Sequence, residues 1–158
     1  MGNLIMGGAI ANGRCSLGAS STWVALSGPM KGSMGSNYLQ DACAGKVNGI
    51  IDSVAQLIGQ CPANPAIQAL AYQNDIYSSM SLNAQYIAAQ AAYKQNAGAV
   101  MCSNANDGLL SYLQVVYKLG GAVIPHKSKE NDGIVEYQSC SAGLSTAQFS
   151  DSYTSKFY

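Results

Sequence analysis

Thr22-Trp23-Val24-Ala25-Leu26-Ser27-Gly28-Pro29 is a short apolar run that ends against a Gly-Pro pair. A run of this length bounded by turn residues predicts a strand, and Gly32-Ser33-Met34-Gly35 predicts that it leaves through a tight loop. Ala97 to Cys102 has the same strand character. Helical patterns surround both. Gly2 to Asn12 is built from Gly2, Gly7, Gly8, Ala9 and Ala11 with Leu4, Ile5, Met6 and Ile10 between them. Glycine disfavours an isolated helix, so this composition predicts a helix whose backbone lies close against a sheet, stopped by Gly13. Asn37 to Gln60 predicts one or two helices, broken by Pro62 and Pro65. Ser81 to Gln95 predicts another, with Leu82, Tyr86, Ala89 and Tyr93 along one stripe. Leu109 to Leu119 predicts a helix ended by Gly120-Gly121, although its Tyr-Leu-Gln-Val-Val-Tyr core also fits a strand. Ile134 to Tyr137 has the look of a strand edge, and the Ser/Thr-rich tail from Leu144 to Tyr158 that of a loop. Strands alternating with helices predict one α/β domain over residues 1–158, with a mainly parallel sheet.

Composition narrows the function classes. Apolar residues make up 48% of the 158, enough for a hydrophobic core, while charged residues are only 10%, against roughly 25% in an average soluble domain. Eight basic and eight acidic residues cancel, and no Lys/Arg cluster offers a nucleic-acid footprint. The apolar opening, Met1 to Ala11, is too short to span a bilayer and lacks the basic flank of a signal peptide. No transmembrane segment is expected. Secretion would place the signal peptide upstream of Met1.

The five cysteines, Cys15, Cys43, Cys61, Cys102 and Cys140, form no C-x-x-C pair, and the single histidine, His126, has no cysteine near it. A zinc site is therefore unsupported, and no metal or other cofactor is expected. Scattered cysteines in a chain of low charge fit a disulfide-bonded extracellular domain. The odd count leaves either one free thiol or one partner outside this sequence.

Two segments and the first residues together resemble a known family. Ser27-Gly28-Pro29-Met30-Lys31-Gly32-Ser33 is similar to the Gly-x-Pro-x-x-Gly-Ser loop after the strand that follows the nucleophile, although Gly28 and Pro29 are adjacent here. Glu130-Asn131-Asp132-Gly133-Ile134-Val135 resembles the Asn-Asp-Gly-hydrophobic-Val stretch that carries the acid. Met1-Gly2-Asn3-Leu4 with Gly7-Gly8-Ala9 resembles a Gly-x-Ser-x-Gly nucleophile elbow from the residue after the serine onward. The family is the α/β-hydrolases of the lipase/esterase type. The resemblance covers Met1–Ala11, Thr22–Ser33 and Glu130–Ser139, with a helical insert at about 37–95 where such enzymes place a cap or lid.

The resemblance implies a serine carboxylic ester hydrolase acting on an ester or lipid, with Asp132 as the acid of its triad. A serine hydroxyl needs a base, and the base needs a carboxylate to fix its tautomer. In this fold the order is serine, acid, histidine, and one oxyanion donor is the backbone N–H of the residue after the serine, here Met1. The serine would precede Met1, and no histidine lies between Asp132 and Tyr158. Nucleophile and base are thus both absent, and the chain is expected to be a fragment that is inactive alone. His126, before Asp132 and next to Pro125, reads as a solvated loop residue. Asp107 lies in a second Asn-Asp-Gly and reads as a turn aspartate. Ser33 and Ser141 each lack the first glycine of an elbow. Of the ten tyrosines, Tyr72, Tyr77, Tyr86 and Tyr93 read as amphipathic packing ahead of an acyl pocket. In this frame Cys43–Cys61 would clamp the insert, Cys102–Cys140 would tie the second strand to the segment after the acid, and Cys15 would be left over. A non-catalytic secreted binding or surface protein on the same scaffold, or an unrelated small helical secreted domain, stands as the alternative.

Overall fold

The computed structural model describes residues 1–47, 61–107, 111 and 114–158. Two parallel strands, β1 (Trp23–Leu26) and β2 (Ala97–Met101), pair from Trp23 opposite Ala97 to Leu26 opposite Met101, with one irregularity after Trp23. Both lie where the apolar runs predict. Joining parallel strands requires a crossover, and its last element is α4 (Met80–Asn96), which feeds directly into β2. The fold is mixed α/β, with α1 (Gly2–Ala11) laid against α4.

Of the glycines of α1, Gly7 serves this helix–helix contact, while Gly2 and Gly8 face open space. A Cβ on Gly7 would sit 3.0 Å from the Ala89 carbonyl oxygen and 3.3 Å from its Cβ, so a larger residue would push the helices apart. The stripe on α4 is the buried one: Tyr86, Ala89 and Tyr93 are all in the interior. The α1 turn nearest β1 is tied to it by Asn3, which donates to the Leu26 carbonyl (3.1 Å) and accepts from the Trp23 indole (3.0 Å). Trp23 meets Tyr93 edge to face at 5.3 Å, a geometry that suits the ring quadrupoles. Around them Ala25, Met30, Val100, Cys102, Cys140 and Ala142 complete the core. The opposite face of β1 carries Val24 and Leu26 to the surface.

Both expected disulfides are formed. Cys43 and Cys61 are 5.3 Å apart at Cα, Cys102 and Cys140 are 5.7 Å apart, and Cys15 is a free, exposed thiol. Among the described residues no helix is long and apolar enough to cross a membrane.

Several local expectations are corrected. The Gly32–Gly35 segment is only half loop: α2 (Met34–Cys43) begins inside it, because the Ser33 hydroxyl accepts from the Gly35 N–H (2.9 Å) and caps the helix. Residues 48–60 of the longer helical expectation lie outside the described residues, as do 109, 110, 112 and 113. Pro65 starts a short helix, α3 (Pro65–Gln68), by standing at its first turn. Gly120-Gly121 does not end a helix. It lies within α5 (Gln114–Val123), where a Cβ on Gly120 would meet the Gly133 carbonyl oxygen at 2.3 Å. Close backbone approach, not termination, explains that glycine. Ile134 to Tyr137 is no strand, since Glu136 already stands at the start of α6 (Tyr137–Cys140). Finally, the tail is not only loop. After a 3₁₀ turn at Thr146–Gln148, Val100 donates to Lys156 (2.7 Å) and accepts from Tyr158 (2.9 Å), so the last residues run parallel to β2 on its second edge. Phe157 follows Phe149 and Tyr137 in a chain of edge-to-face rings at 5.8 and 5.6 Å.

Candidate functional site

The segment after β1 is fixed from both sides. Ser27 adopts φ 40, a left-handed backbone that few non-glycine residues take, and its N–H donates to the Met101 carbonyl (2.9 Å). Beyond it Ser139 accepts from the Lys31 N–H (2.9 Å) and donates to the Gly32 carbonyl (2.6 Å). Gln90 donates to the Met30 carbonyl (2.8 Å). Gly32, at φ 76, passes so close to residues 70 and 71 that a Cβ would meet carbonyl oxygens at 2.6 and 2.4 Å. Here the conformation and the contact both demand glycine.

Asn131-Asp132-Gly133 is the tight turn that the sequence predicts. Asn131 Oδ1 accepts from the Gly133 N–H (2.9 Å), and Asp132 Oδ1 accepts from the N–H groups of Ile134 (2.9 Å) and Val135 (2.7 Å). Gly133 has φ 94, and a Cβ there would lie 2.3 Å from the Tyr117 carbonyl oxygen. The turn therefore sits backbone to backbone on α5.

Two cavities flank this turn. The first, of about 370 Å³, is apolar: Met1, Leu39, Leu70, Leu119, Val123 and Ile134 are among the residues lining it, with Ser27 and Ser33 at its wall. The second, of about 400 Å³, is polar, and its walls include Asp132, Asp107, Asn106, Ser103 and Tyr117, again with Ser27. Met1 and Asp132 thus lie on neighbouring cavities that share Ser27, the residue after β1. Asp107 shares the cleft of Asp132 and is paired with Lys118 at 2.6 Å.

A buried carboxylate, Glu136, that no local motif marks holds His126 in a place other than the expected solvated loop. His126 is not solvated: its side chain is 4% exposed and its Nδ1 donates to Glu136 Oε1 at 2.7 Å, while the Glu136 side chain is fully buried. The Met34 N–H, in the first turn of α2, donates to the same carboxylate at 3.3 and 3.4 Å. A helix N-terminus and an imidazole together offset the cost of burying that charge. The remaining ring nitrogen, Nε2, is buried with no hydrogen-bond partner among the described residues. The available signal was a glutamate set directly after an apolar Ile-Val pair in a chain with few charges. Ser33 does not face this pair as a nucleophile would, because its hydroxyl donates to the Ile134 carbonyl and accepts from Gly35.

Elsewhere the titratable groups serve packing. Burial raises the phenol pKa of Tyr86 and of Tyr93 far above the ordinary value, and each hydroxyl donates to backbone carbonyls, Tyr86 to Ala69 and Ala71 at 3.0 Å and Tyr93 to Cys140 at 3.2 Å. Asp75 is held below the usual carboxylate range, first by its bond from Lys127. Among the described residues no three His, Cys, Asp or Glu side chains gather as a metal site. Compared with family models, curated proteins and solved structures, the chain matches none.

Proposed function

We propose that this chain carries the acid-bearing half of a serine carboxylic ester hydrolase, with Asp132 as the triad acid and the Met1 backbone N–H as an oxyanion donor. One observation carries the reading. The first turn of α1 is bonded to the C-terminal end of parallel strand β1 through Asn3 and Leu26, and Met1 and Asp132 line the two cavities that share the next residue, Ser27. Ligand sites of open parallel sheets form at that end of the strands. The apolar cavity beside Met1 receives the acyl chain.

Chemistry in this reading needs a serine directly before Met1 and a histidine after Asp132. The histidine takes the serine proton during attack on the ester carbonyl and returns it to the leaving alcohol. Asp132 accepts a hydrogen bond from the imidazole and stabilises it once protonated. Two disulfides suit an oxidising, extracellular setting. A non-catalytic binding protein on the same scaffold is the second reading, favoured by the closed His126–Glu136 pair and the engaged Ser33 hydroxyl.

Turnover of p-nitrophenyl esters separates the two. The 158-residue chain is expected to show none, and a protein carrying its natural flanking sequence is expected to turn over. Equal silence from both would sustain the binding protein; turnover by the 158-residue chain would remove the triad assignment.

A further inference from the structure

We infer that the two cavities meeting at Ser27 form a single site for a neutral, single-chain amphiphile, its aliphatic tail in the apolar cavity and its hydroxylated head in the polar cleft. Where the ester-hydrolase reading holds, the inference names its substrate class, an aliphatic ester of a polyhydroxylated alcohol, and in that respect it rests on that reading.

Two elements present an apolar side to one cavity and a polar side to the other, and one residue borders both. Helix α5 gives Val116 and Leu119 to the first and Gln114 and Tyr117 to the second. The acid turn gives Ile134 and Val135 to the first and Asp132 to the second. Ser27, with its left-handed backbone, stands on both. A ligand matching this division is apolar at one end and polar at the other. The apolar cavity, at about 370 Å³, lies at the small end of the roughly 300–1,000 Å³ range of ligand sites, which suits one chain and not a two-chain lipid.

The polar cleft decides the head. Asp107 is offset by Lys118 at 2.6 Å, but no cation pairs with Asp132 among the described residues. The cleft therefore carries a negative charge met only by two backbone N–H groups, and it repels a phosphate or carboxylate. Its other walls, Ser103, Asn106, Ser111, Gln114 and Tyr117, offer neutral donors and acceptors. Hydroxyl groups match them, because a hydroxyl both donates and accepts.

The test is calorimetric titration of the 158-residue chain, below the micellar range, with octyl glucoside, decyl glucoside, octyl phosphate and glucose. Glucosides hold no ester, so binding is read with no turnover, and its failure is distinct from failure of the hydrolase reading. Two added methylenes are expected to tighten binding about fifteen-fold. Octyl phosphate is expected to bind roughly five-fold or more weakly than octyl glucoside, and Asp132→Asn to narrow that gap. Glucose alone is expected not to bind. Val116→Trp, at a half-exposed position of the apolar wall, is expected to weaken both glucosides, with near-ultraviolet circular dichroism confirming the fold. The inference is overturned by octyl phosphate binding as tightly as octyl glucoside, by no dependence on tail length, or by no binding of either glucoside. The head and tail series use the unaltered chain, so they decide the matter even if Val116→Trp does not fold.

Discussion

Replacing Glu136 by alanine tests how the acid turn is anchored. Its carboxylate is fully buried and joins three segments: His126 at 2.7 Å from the loop after α5, Met34 N–H at 3.3 and 3.4 Å from α2, and its own position at the head of α6. Removal leaves an imidazole with neither nitrogen partnered among the described residues, because Nε2 has no partner there already. Breaking a buried pair by deleting one member costs about 3–5 kcal/mol. Set against a total stability of about 5–15 kcal/mol for a typical domain, that is a large fraction. Urea unfolding with the disulfides intact should register it. With a slope of about 2 kcal/mol per molar urea, the midpoint falls by about 1.5–2.5 M. Glu136→Gln, which keeps an acceptor for the ring, should lose less. His126→Ala combined with Glu136→Ala should lose clearly less than the two single changes added, with a coupling of about 2 kcal/mol. A Glu136→Ala cost below about 1 kcal/mol, or strict additivity, would show that the pair does not hold the loop.

Other expectations follow from single contacts. Gly120→Ala and Gly133→Ala each drive a Cβ to 2.3 Å from a backbone carbonyl oxygen, whereas the Cβ of Gly121→Ala meets only the Asn106 side chain. Thermal melting should therefore show losses of about 2–4 kcal/mol for the first two and a smaller one for Gly121→Ala; equal losses would refute the backbone contact. Tyr86 and Tyr93 have folded-state pKa values raised by burial, so their contribution is intact below about pH 10 and lost as pH rises from there toward the folded values. Alkaline unfolding curves for Tyr86→Phe and Tyr93→Phe should be flatter above pH 10 than for the unaltered chain; an unchanged slope would contradict the assignment. The loops closed by Cys102–Cys140 and Cys43–Cys61 span 38 and 18 residues. Chain entropy then predicts losses of about 4 and about 3 kcal/mol for the respective Cys→Ser pairs, measured by urea unfolding, with the reverse order counting against it.

The parts of this fold that were legible are those where a local pattern and the tertiary role coincide. The runs around Trp23–Leu26 and Ala97–Met101 are buried or half-buried strands, and the stripe Tyr86, Ala89, Tyr93 faces the core because helical spacing puts those positions on one side. The cysteine pairing was legible because one side of each bridge was placed in advance, the helix that carries Cys43 and the strand that runs up to Cys102. What was not legible depends on contacts between distant residues. Gly120-Gly121 carries the same local signal whether a helix stops there or is touched there by Gly133. The Lys156–Tyr158 segment has no strand pattern of its own and gains its place from the free edge of β2. Glu136 and His126 each look like ordinary polar residues until the turn at Asp132 folds them together, ten residues apart. Met1 and Asp132 were both named from the sequence, and their neighbouring cavities are a property of the folded chain alone.

The most direct measurement is ester hydrolysis by the protein with its natural flanking sequence, comparing Asp132→Asn with Asp107→Asn. Both aspartates line the same cleft, so a general electrostatic effect would touch both. With Asp132 as the triad acid, Asp132→Asn lowers kcat by about 10⁴ through the wrong imidazole tautomer, while KM and the Asp107→Asn rate stay near those of the unaltered enzyme. A protein in which Asp132→Asn retains full kcat, or in which Asp107→Asn alone abolishes it, contradicts the account.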